Sequence, residues 1–448
     1  MIKGRHAVLY SILMGSVGFF QACQKDDPVY PAGTNEAINQ WIDTEMDQYY
    51  YWRDKRPAQH DQSANPISYF HMLLAQEDRF STILQSQNQD SFGKTLANTF
   101  GLDIISVEQG NQSLHLISQV VPFSAAATAG LARGDSIEQI NGVILSQINI
   151  EETVIQALAL NRLQLRLKKD KLIDLPSSYI AQPVVYTYRL LNDQPNTGYL
   201  YLSHFDFSGA YDVLEAVKKL KEAEVSNLIL DLRYNPGGQV SFAAFCALLF
   251  APVQANEIFV RYRGNKRMAA IDDTFADALA RQPDGYSFSV AELIAARLPL
   301  RHITVLTTGH TASAAELLIN NLRPYIAVIH IGENTLGKDM ASVTRSSPQD
   351  INGDQATWHI LPLVYKMYNR ENVGDYAAGI VPQQLVQEYR TLPLYPFGDS
   401  RDPLLVEALQ TANKNVTSRD NRQVPISSKP TSIRFESRPY EHHPILLD

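Results

Sequence analysis

At 448 residues, with 45% hydrophobic and 19% charged residues, the chain is long enough for two or three globular domains with sizeable cores. Its 47 acidic residues against 39 basic ones give a formal net charge of -8, and no block of Lys and Arg offsets it. This balance argues against a nucleic-acid partner.

The N-terminal segment has the order of a secretory signal: basic residues, an apolar stretch over 7–20, and small residues before Cys23. The apolar stretch is too short to span a membrane. A cysteine directly after a small residue resembles a bacterial lipobox, which implies a lipoprotein signal peptide over 1–22, a lipidated Cys23 and a tether over 23–34. The following QKDD resembles an export signal, which implies an outer-membrane lipoprotein of the cell envelope, periplasmic or surface-exposed. The alternative is ordinary cleavage and free secretion.

Residues 35–86 are predicted to form an N-terminal helical module. In EAINQWIDTEMDQYYYW the apolar residues Ile38, Trp41 and Ile42 fall at helical spacing on one face, and a second helical stretch, ISYFHMLLAQ, follows. The segment EDRFSTIL closes the module, and beyond it the sequence changes to short apolar runs and glycines.

Residues 90–172 resemble a PDZ domain. The stretch LHLISQVV predicts a strand, SAAATAG a short helix, and GDSIEQINGVIL two strands that meet at the hairpin dipeptide Asn141-Gly142. This order is typical of PDZ domains, which bind an extended peptide by adding it as a strand to a sheet edge.

The resemblance places the peptide-binding loop of this domain at Phe100, Gly101 and Leu102. Asp103 stands where the family often has glycine. Its carboxylate would repel the carboxylate of a peptide terminus, which argues against terminal capture and leaves strand addition possible.

Residues 178–412 alternate apolar runs with helical patterns. TGYLYLSHF and NLILDL predict strands around the helix YDVLEAVKKLKEAEV, and ITVLTT, SAAELLINNL and YIAVIHIG repeat the unit. Two such crossovers predict an α/β domain with a largely parallel sheet. Residues 413–448 are polar and rich in Pro, which predicts a poorly ordered C-terminal tail.

A glycine turn follows one of the buried strands, in DLRYNPGGQV. Gly237 and Gly238 place flexible backbone at the carboxyl end of that strand, where open α/β sheets hold ligands, and glycine lets a substrate approach main-chain N–H groups. By itself NPGG is also a common turn. Asp231 and Arg233 flank it and are expected to brace the loop as an ion pair rather than to catalyse.

Ser313, in GHTASAAELLINN, has two interpretations. With Glu316 three residues later it fits a capping box, in which the serine only satisfies a backbone N–H. It also fits a nucleophile at a helix start, where free N–H groups stabilise negative charge. Lys338, in ENTLGKDMAS after the next strand, favours the second interpretation, because a buried neutral lysine can act as the base for a serine.

N-P-G-G, then T-A-S-A-A-E, then G-K with its lysine twenty-five residues after the serine, all behind a PDZ-like segment, resembles the S41 family of carboxyl-terminal processing (tail-specific) serine peptidases. The resemblance covers about residues 36–412. It implies an α/β (α+β multidomain) chain with a crotonase/Clp-like peptidase domain preceded by a PDZ domain and an N-terminal helical module. It also implies a Ser–Lys dyad that cleaves unfolded or extended polypeptides.

Carried onto this sequence, the resemblance makes Ser313 the nucleophile and Lys338 the general base. The N–H of Ala314 would form the oxyanion hole with an N–H of the glycine turn, preferably that of Gly237, with Gly238 the other candidate.

The same resemblance gives Glu316 a supporting role, since an acidic residue supports the dyad in relatives. The sequence departs from the family pattern at three positions. Many members have serine at Ala315 and glutamine at Ser342, whose hydroxyl would orient the lysine more weakly, and Pro324 replaces an aspartate that some relatives carry. None of these changes removes the nucleophile, the base or the hole.

Other reactive residues fit less well. His310 is too close to Ser313 in the chain to be a good base, and His204, at a strand end, is the better second choice. His442 and its neighbour His443 lack the spacing of a metal site. Cys246 has no disulfide partner and lies in an apolar stretch, which predicts a buried side chain.

The sequence therefore predicts a lipid-anchored serine endopeptidase that needs no cofactor and no metal, with an unfolded or extended polypeptide as its partner. The alternative is a catalytically weak peptide-binding scaffold built from the same folds. Asp103 and the absent glutamine favour the scaffold slightly, whereas the intact serine, lysine and glycine turn favour the enzyme. Nothing in the sequence indicates an oligomeric state.

Overall fold

The computed structural model describes residues 28–58, 61–85, 94–110, 112–168, 170–191, 194, 196–413 and 431–438. The predicted signal peptide and the lipidation site Cys23 lie outside these ranges. Within them, no helix is both long and apolar enough to cross a bilayer.

The N-terminal module contains α1 (Asn35–Tyr49), α2 (Pro66–Met72) and β1 (Thr82–Gln85). The Thr34 hydroxyl caps α1 by accepting the Ala37 N–H at 3.3 Å. The apolar face predicted for this helix is buried, with Ile38 and Ile42 fully enclosed. β1 pairs antiparallel with residues 358–361, so that the module joins a sheet formed with the peptidase domain, a pairing that was not predicted.

The PDZ-like segment forms the order of elements expected from its sequence. Its hairpin turns at Asn141 and Gly142, which have φ of 50° and 80°, the left-handed values that a two-residue hairpin requires. The Ile140–Val143 pairing closes the hairpin. The elements of the segment are α3 (Leu96–Phe100), β2 (Leu102–Gln109), β3 (Gln112–Val120), α4 (Ala125–Thr128), β4 (Ile137–Ile140), β5 (Val143–Ile144), α5 (Ile150–Ala159), β6 (Leu163–Leu167) and β7 (Leu172–Leu175).

The peptidase domain is built on a six-stranded sheet of β8 (Val185–Leu190), β9 (Thr197–Leu202), β10 (Asn227–Asp231), β13 (His302–Thr307), β14 (Ala327–Gly332) and β19 (Gln384–Leu385). Its strand order is β19-β14-β13-β10-β9-β8, and every neighbouring pair is parallel except the β8–β9 edge. The predicted parallel α/β sheet is therefore confirmed.

Helices and a second sheet surround this central sheet. The helices are α6 (Ala210–Glu222), α7 (Val240–Phe250), α8 (Phe275–Ala280), α9 (Val290–Ala296), α10 (Ala314–Leu322), α11 (Gln349–Asn352) and α12 (Pro403–Asn413). The remaining strands are β11 (Ile258–Arg263), β12 (Ile271–Thr274), β15 (Met340–Ser342), β16 (Arg345–Ser346), β17 (Trp358–Leu361) and β18 (Leu363–Tyr368). Cys246 lies in α7, a helix that is apolar all round and buried along its whole length, so its thiol is enclosed as expected and burial raises its pKa.

The tail expected after residue 413 is not structureless throughout. Residues Thr431–Glu436 form β20, which pairs antiparallel with β2. The prediction of a poorly ordered tail is wrong for this stretch, because the free edge of β2 offers hydrogen bonds that a polar sequence satisfies without an apolar core. Residues 414–430 and 439–448 lie outside the described ranges.

A buried group of ions fastens the segment after β10 to the end of the peptidase domain. The expected Asp231–Arg233 ion pair is present at 2.8 Å, with both side chains fully buried. Arg233 also contacts Asp402 at 3.0 Å and Glu388 at 3.3 Å. Glu388 in turn pairs with Arg133 of the PDZ-like segment at 2.8 Å, so one cluster joins both domains.

We expect Arg233→Met to lower the unfolding free energy by ~3–5 kcal/mol, because it leaves buried carboxylates without their cation. The measurement is the shift of the thermal unfolding midpoint. Arg401→Met is the matched control: Arg401 pairs with Asp399 at 2.8 Å but is 66% exposed, so we expect loss of this pair to change stability much less. Equal shifts in the two variants would contradict a bracing role for Arg233.

Candidate active site

The three segments singled out by the sequence meet at one edge of the central sheet. They follow β10, β13 and β14, which are neighbours in register and parallel, so their carboxyl ends lie together. Direct hydrogen bonds tie the segments to one another: Ala312 N–H donates to the Asn235 carbonyl at 2.9 Å, and Leu336 N–H donates to the Thr311 carbonyl at 2.9 Å.

Ser313 does not have the conformation of an ordinary helix cap. Its φ of 66° and ψ of -124° lie in a region that non-glycine residues rarely occupy, at a cost of about 1–3 kcal/mol. Its Oγ is fully buried and has no hydrogen-bond partner among the described residues. In contrast, Ser124 and Ser289 cap α4 and α9 with φ of -76° and -97°, and each hydroxyl accepts a backbone N–H.

The capping interpretation of Ser313 therefore holds only for its backbone. Its N–H donates to the Glu316 carboxylate at 2.8 Å, which is the acidic half of a capping box. The hydroxyl is held on a strained strand-to-helix turn, an arrangement that α/β-hydrolases also use to expose a nucleophile, although the sequence lacks their G-x-S-x-G motif.

Glu316 connects the serine segment to the lysine segment. One carboxylate oxygen accepts both the Ser313 N–H and the Lys338 N–H, each at 2.8 Å. The other oxygen accepts the Gly337 N–H at 2.8 Å and the Thr335 hydroxyl. Burial raises the pKa of Glu316, while these four donors act in the opposite direction by stabilising the carboxylate.

Lys338 is buried beside this carboxylate, with 1% of its surface exposed. Burial lowers its pKa to about 7, against the opposing influence of Asp78 and Glu316, so that an appreciable fraction is neutral near neutral pH. A lysine in this state can accept a proton from a hydroxyl.

The wall of the lysine pocket comes from the N-terminal module, which the sequence analysis did not assign to the site. The Lys338 Nζ lies 5.6 Å from the centre of the Phe80 ring. Arg79 donates to the carbonyls of Leu336 and Ala377 at 3.1 and 3.0 Å and so holds the lysine segment in place. Both residues belong to the DRFS stretch, Asp78 to Ser81, which the sequence identified as the end of the module but which had no predicted role in the site.

The glycine turn lies directly against the serine. A Cβ on Gly237 would sit 2.6 Å from both the Ala314 nitrogen and the Ser313 Cβ, and its φ of 95° also favours glycine. The Gly237 N–H, however, donates to the Asn235 side chain at 2.9 Å. Ala314 is the first residue of α10, so its own N–H has no acceptor within the helix.

The structure gives the surroundings of three other candidate residues, Ser342, His204 and His310. The Ser342 hydroxyl is buried without a hydrogen-bond partner among the described residues, so it does not orient Lys338. The Nδ1 of His204 lies 2.8 Å from the Ser203 hydroxyl. The Nε2 of His310 lies 2.9 Å from a carboxylate oxygen of Glu436 in β20, which directs the ring away from the role of a base.

The predicted peptide-binding residues of the PDZ-like segment lie outside the backbone pairing with β20. Phe100 and Leu102 are fully buried in the core of the segment, and the Gly101 N–H donates to carbonyls of α3 at 3.0 and 3.1 Å. The pairing with β20 begins at Ile105, and Asp103 contacts Arg438 beyond the end of β20.

The site is closed. Ser313 has no exposed surface, and the glycine turn covers it. In the part of the chain that the structure describes, no group of His, Cys, Asp or Glu side chains has the arrangement of a metal site. A strained serine and a desolvated lysine thus lie on two loops that the Glu316 carboxylate joins, next to the glycine turn and the first N–H of α10.

Comparison with known protein families agrees with this geometry. The peptidase family S41 model matches residues 196–383, the peptidase S41 N-terminal domain model matches 37–82, and the PDZ domain model matches 93–168. The chain belongs to peptidase family S41, a family of serine-type hydrolases. The resemblance and the three-part fold class stated from the sequence are confirmed.

Individual relatives are similar at modest identity. The carboxy-terminal processing protease CtpA of Bacillus subtilis is 26% identical over 271 residues, which cover 60% of this chain and 53% of that protein. The carboxyl-terminal-processing protease of Synechocystis is 24% identical over 351 residues, covering 75% and 73%. A crystal structure assigned to the S41 proteases, from Bacteroides fragilis, is 26% identical with a TM-score of 0.66, covering 87% of this chain and 99% of that one. The chain spans about half the length of the first of these relatives.

We expect Lys338→Met to be more resistant to unfolding than the parent chain, by a margin that shrinks as pH rises. The folded lysine has a pKa of about 7 and the unfolded one a pKa near 10.4, so between these values the unfolded parent binds the extra proton and parent stability increases with pH. Methionine has no such dependence. The measurement is the unfolding midpoint of both chains from about pH 7 to about pH 10.

Lys219→Met is the control for this experiment, because Lys219 is 53% exposed and its hydrogen bond with Glu215 raises its pKa instead of lowering it. A margin that does not change with pH in Lys338→Met would mean that the lysine is charged in the folded chain.

Proposed function

We propose that the chain is a serine endopeptidase with a Ser313–Lys338 dyad that cleaves unfolded or extended polypeptides. The observation that carries this proposal is the shared carboxylate oxygen of Glu316, which holds the backbones of both residues, together with the lowered pKa of about 7 at Lys338. A purely structural lysine would be expected to keep its charge.

In the proposed reaction the Ser313 Oγ attacks the carbonyl carbon of the scissile peptide while its proton passes to the Lys338 Nζ. The resulting oxyanion would be stabilised by the N–H groups of Ala314 and Gly238, or of Gly237 once that N–H leaves Asn235. Collapse breaks the C–N bond, and the lysine ammonium gives its proton to the leaving amine. Water then hydrolyses the acyl-enzyme with Lys338 again accepting and returning a proton.

Glu316 would act as a positioning residue in this scheme, since it holds backbone N–H groups and does not face the substrate. The substrate would be an extended chain, because both the enclosed serine and a sheet edge of the PDZ-like segment require exposed backbone.

The second candidate function is a peptide-binding scaffold with little turnover. Two observations favour it: the Ser313 hydroxyl is enclosed, and the Gly237 N–H is directed to Asn235 instead of a substrate position. Both observations are also expected of an enzyme whose site is closed before substrate binds. A peptide-binding scaffold would not explain the strained backbone of Ser313.

The test is cleavage of reduced casein by residues 24–448, which include every described residue, beside Ser313→Ala and Lys338→Ala. We expect each substitution to lower kcat by about a thousandfold or more. Parent activity should rise with pH through about 7, because Lys338 must lose its proton to act.

Loss of cleavage with Ser313→Ala but not with Lys338→Ala would keep the nucleophile and reject the base, and His204→Ala would then test the second-choice base. Undiminished cleavage by Ser313→Ala would reject the dyad. An inactive parent over a range of unfolded substrates would favour the scaffold.

We further propose that the mature chain is a lipoprotein of the cell envelope, attached through Cys23. The support is the sequence order of apolar stretch, Ala22, Cys23 and the following acidic residues. In cells fed an alkyne fatty acid, we expect the parent chain to become labelled and to sediment with membranes, and Cys23→Ser to do neither. Cys246→Ser is the matched control and should be labelled like the parent, since Cys246 is buried. Equal labelling of Cys23→Ser and parent would exclude this anchor.

A further inference from the structure

Residues 431–438, named here the resident segment, occupy the open edge of β2. The segment pairs antiparallel with β2 in the register Ile105–Glu436 to Gln109–Thr431, and the Ser437 N–H extends the pairing to the Ile104 carbonyl at 2.9 Å. The other edge of β2 is paired with β3. The resident segment therefore lies where a strand added to this sheet must lie.

Side chains of the resident segment fit the edge as well. Phe435 packs against the apolar core of the PDZ-like segment, while Ile433 is 46% exposed. An aromatic side chain inserted from an added strand is the usual way in which strand addition gains selectivity beyond its backbone bonds.

Asp103 is neutralised by the resident segment. Its carboxylate is 1% exposed and pairs with the guanidinium of Arg438, which also donates to the Gln119 side chain. The Ser437 hydroxyl lies 3.3 Å from the same carboxylate. A buried carboxylate needs a cation, so this edge favours a basic residue inside an extended chain over the negative terminus of a peptide.

The resident segment also contacts two of the three loops of the candidate active site, those that carry the serine and the glycine turn. The Glu436 carboxylate lies 2.9 Å from the Nε2 of His310, three residues before the serine. The Arg438 guanidinium stacks 4.5 Å from the centre of the Tyr234 ring, in the loop that carries the glycine turn. A strand on β2 and a closed glycine turn are thus linked through two side chains.

We propose that the resident segment is a built-in ligand that occupies the β2 edge, and that a polypeptide strand able to replace it carries an aromatic residue and, three positions later, a basic residue. A substrate strand must displace this ligand, and displacement releases His310 and Tyr234 so that the closed site opens. The opening step rests on the proposed peptidase function; the binding site does not.

A substrate strand must compete with the resident segment of the same molecule for the β2 edge, which raises the affinity that the substrate needs. A tethered ligand acts at an effective concentration in the millimolar range, so a substrate needs contacts beyond β2, such as those with the catalytic cleft, to displace it. Selectivity would then require both an exposed cleavable chain and a matching strand.

The activity arm of the test locks the strand in place. Glu108 and Ser432 face each other across the two strands, at a spacing that suits a disulfide, so the double variant Glu108→Cys/Ser432→Cys is prepared in residues 24–448. We expect the oxidised chain to cleave reduced, alkylated casein at least about tenfold more slowly than the same chain after reduction, a difference of about 1.4 kcal/mol in the barrier. Each single cysteine variant should be unaffected by oxidation.

The binding arm does not depend on catalysis. A fluorescent, amidated peptide with the sequence TSIRFESR should bind a Phe435→Ala chain, whose own segment is weakened, and should not bind the oxidised double variant. A peptide with Arg438→Glu should bind at least about tenfold more weakly. An Asp103→Arg substitution in the Phe435→Ala chain should restore its binding, as a charge exchange requires.

The outcomes separate the two ideas. Peptide binding as described, without casein cleavage by any form, supports the binding site and rejects the peptidase function. Equal cleavage by the oxidised and reduced chains rejects displacement as the opening step. Absence of peptide binding to Phe435→Ala, or equal binding to the oxidised chain, rejects the binding site itself.

Discussion

The site depends on the hydrogen bonds that the buried carboxylate of Glu316 accepts. A charge in this position is costly unless donors surround it, and the four donors come from two different loops after two different strands. The carboxylate therefore fixes the backbone of Ser313 relative to that of Lys338. The serine hydroxyl has no hydrogen-bond partner among the described residues, as its proposed role as a nucleophile requires.

Desolvation of Lys338 is a product of three parts of the chain acting together. The central sheet places the loop, Glu316 holds its backbone, and Phe80 of the N-terminal module closes its pocket. The module therefore contributes to the electrostatics of the site as well as to its packing. Arg79 donates a hydrogen bond to the lysine loop, and the charge of the neighbouring Asp78 raises the pKa of Lys338 against the effect of burial. A pKa near neutrality results from burial and charge in competition.

Local patterns predicted the elements and the loops well, because each rests on nearby residues. The alternation of strands and helices predicted that Ser313 and Lys338 lie on loops at the same end of the central sheet. The Asn141-Gly142 dipeptide predicted the hairpin of the PDZ-like segment. Features that depend on distant partners in the chain could not be predicted from local patterns. A polar stretch such as 431–436 becomes a strand only because the edge of β2 is available, and β1 only because residues 358–361 lie beside it. The left-handed backbone of Ser313 is likewise imposed from outside, through Glu316 and the glycine turn.

The buried Arg133–Glu388 pair has a consequence for the relation between the two domains. Arg133 also donates to the Tyr395 carbonyl at 2.9 Å and stacks 4.4 Å from the Phe397 ring, so its guanidinium is embedded in the peptidase domain. Movement of the PDZ-like domain away from the peptidase domain would withdraw this cation and leave the buried Glu388 with its longer contact to Arg233 at 3.3 Å. A PDZ domain transplanted from a relative would therefore be expected to pack here only if it supplied an arginine at the position of Arg133.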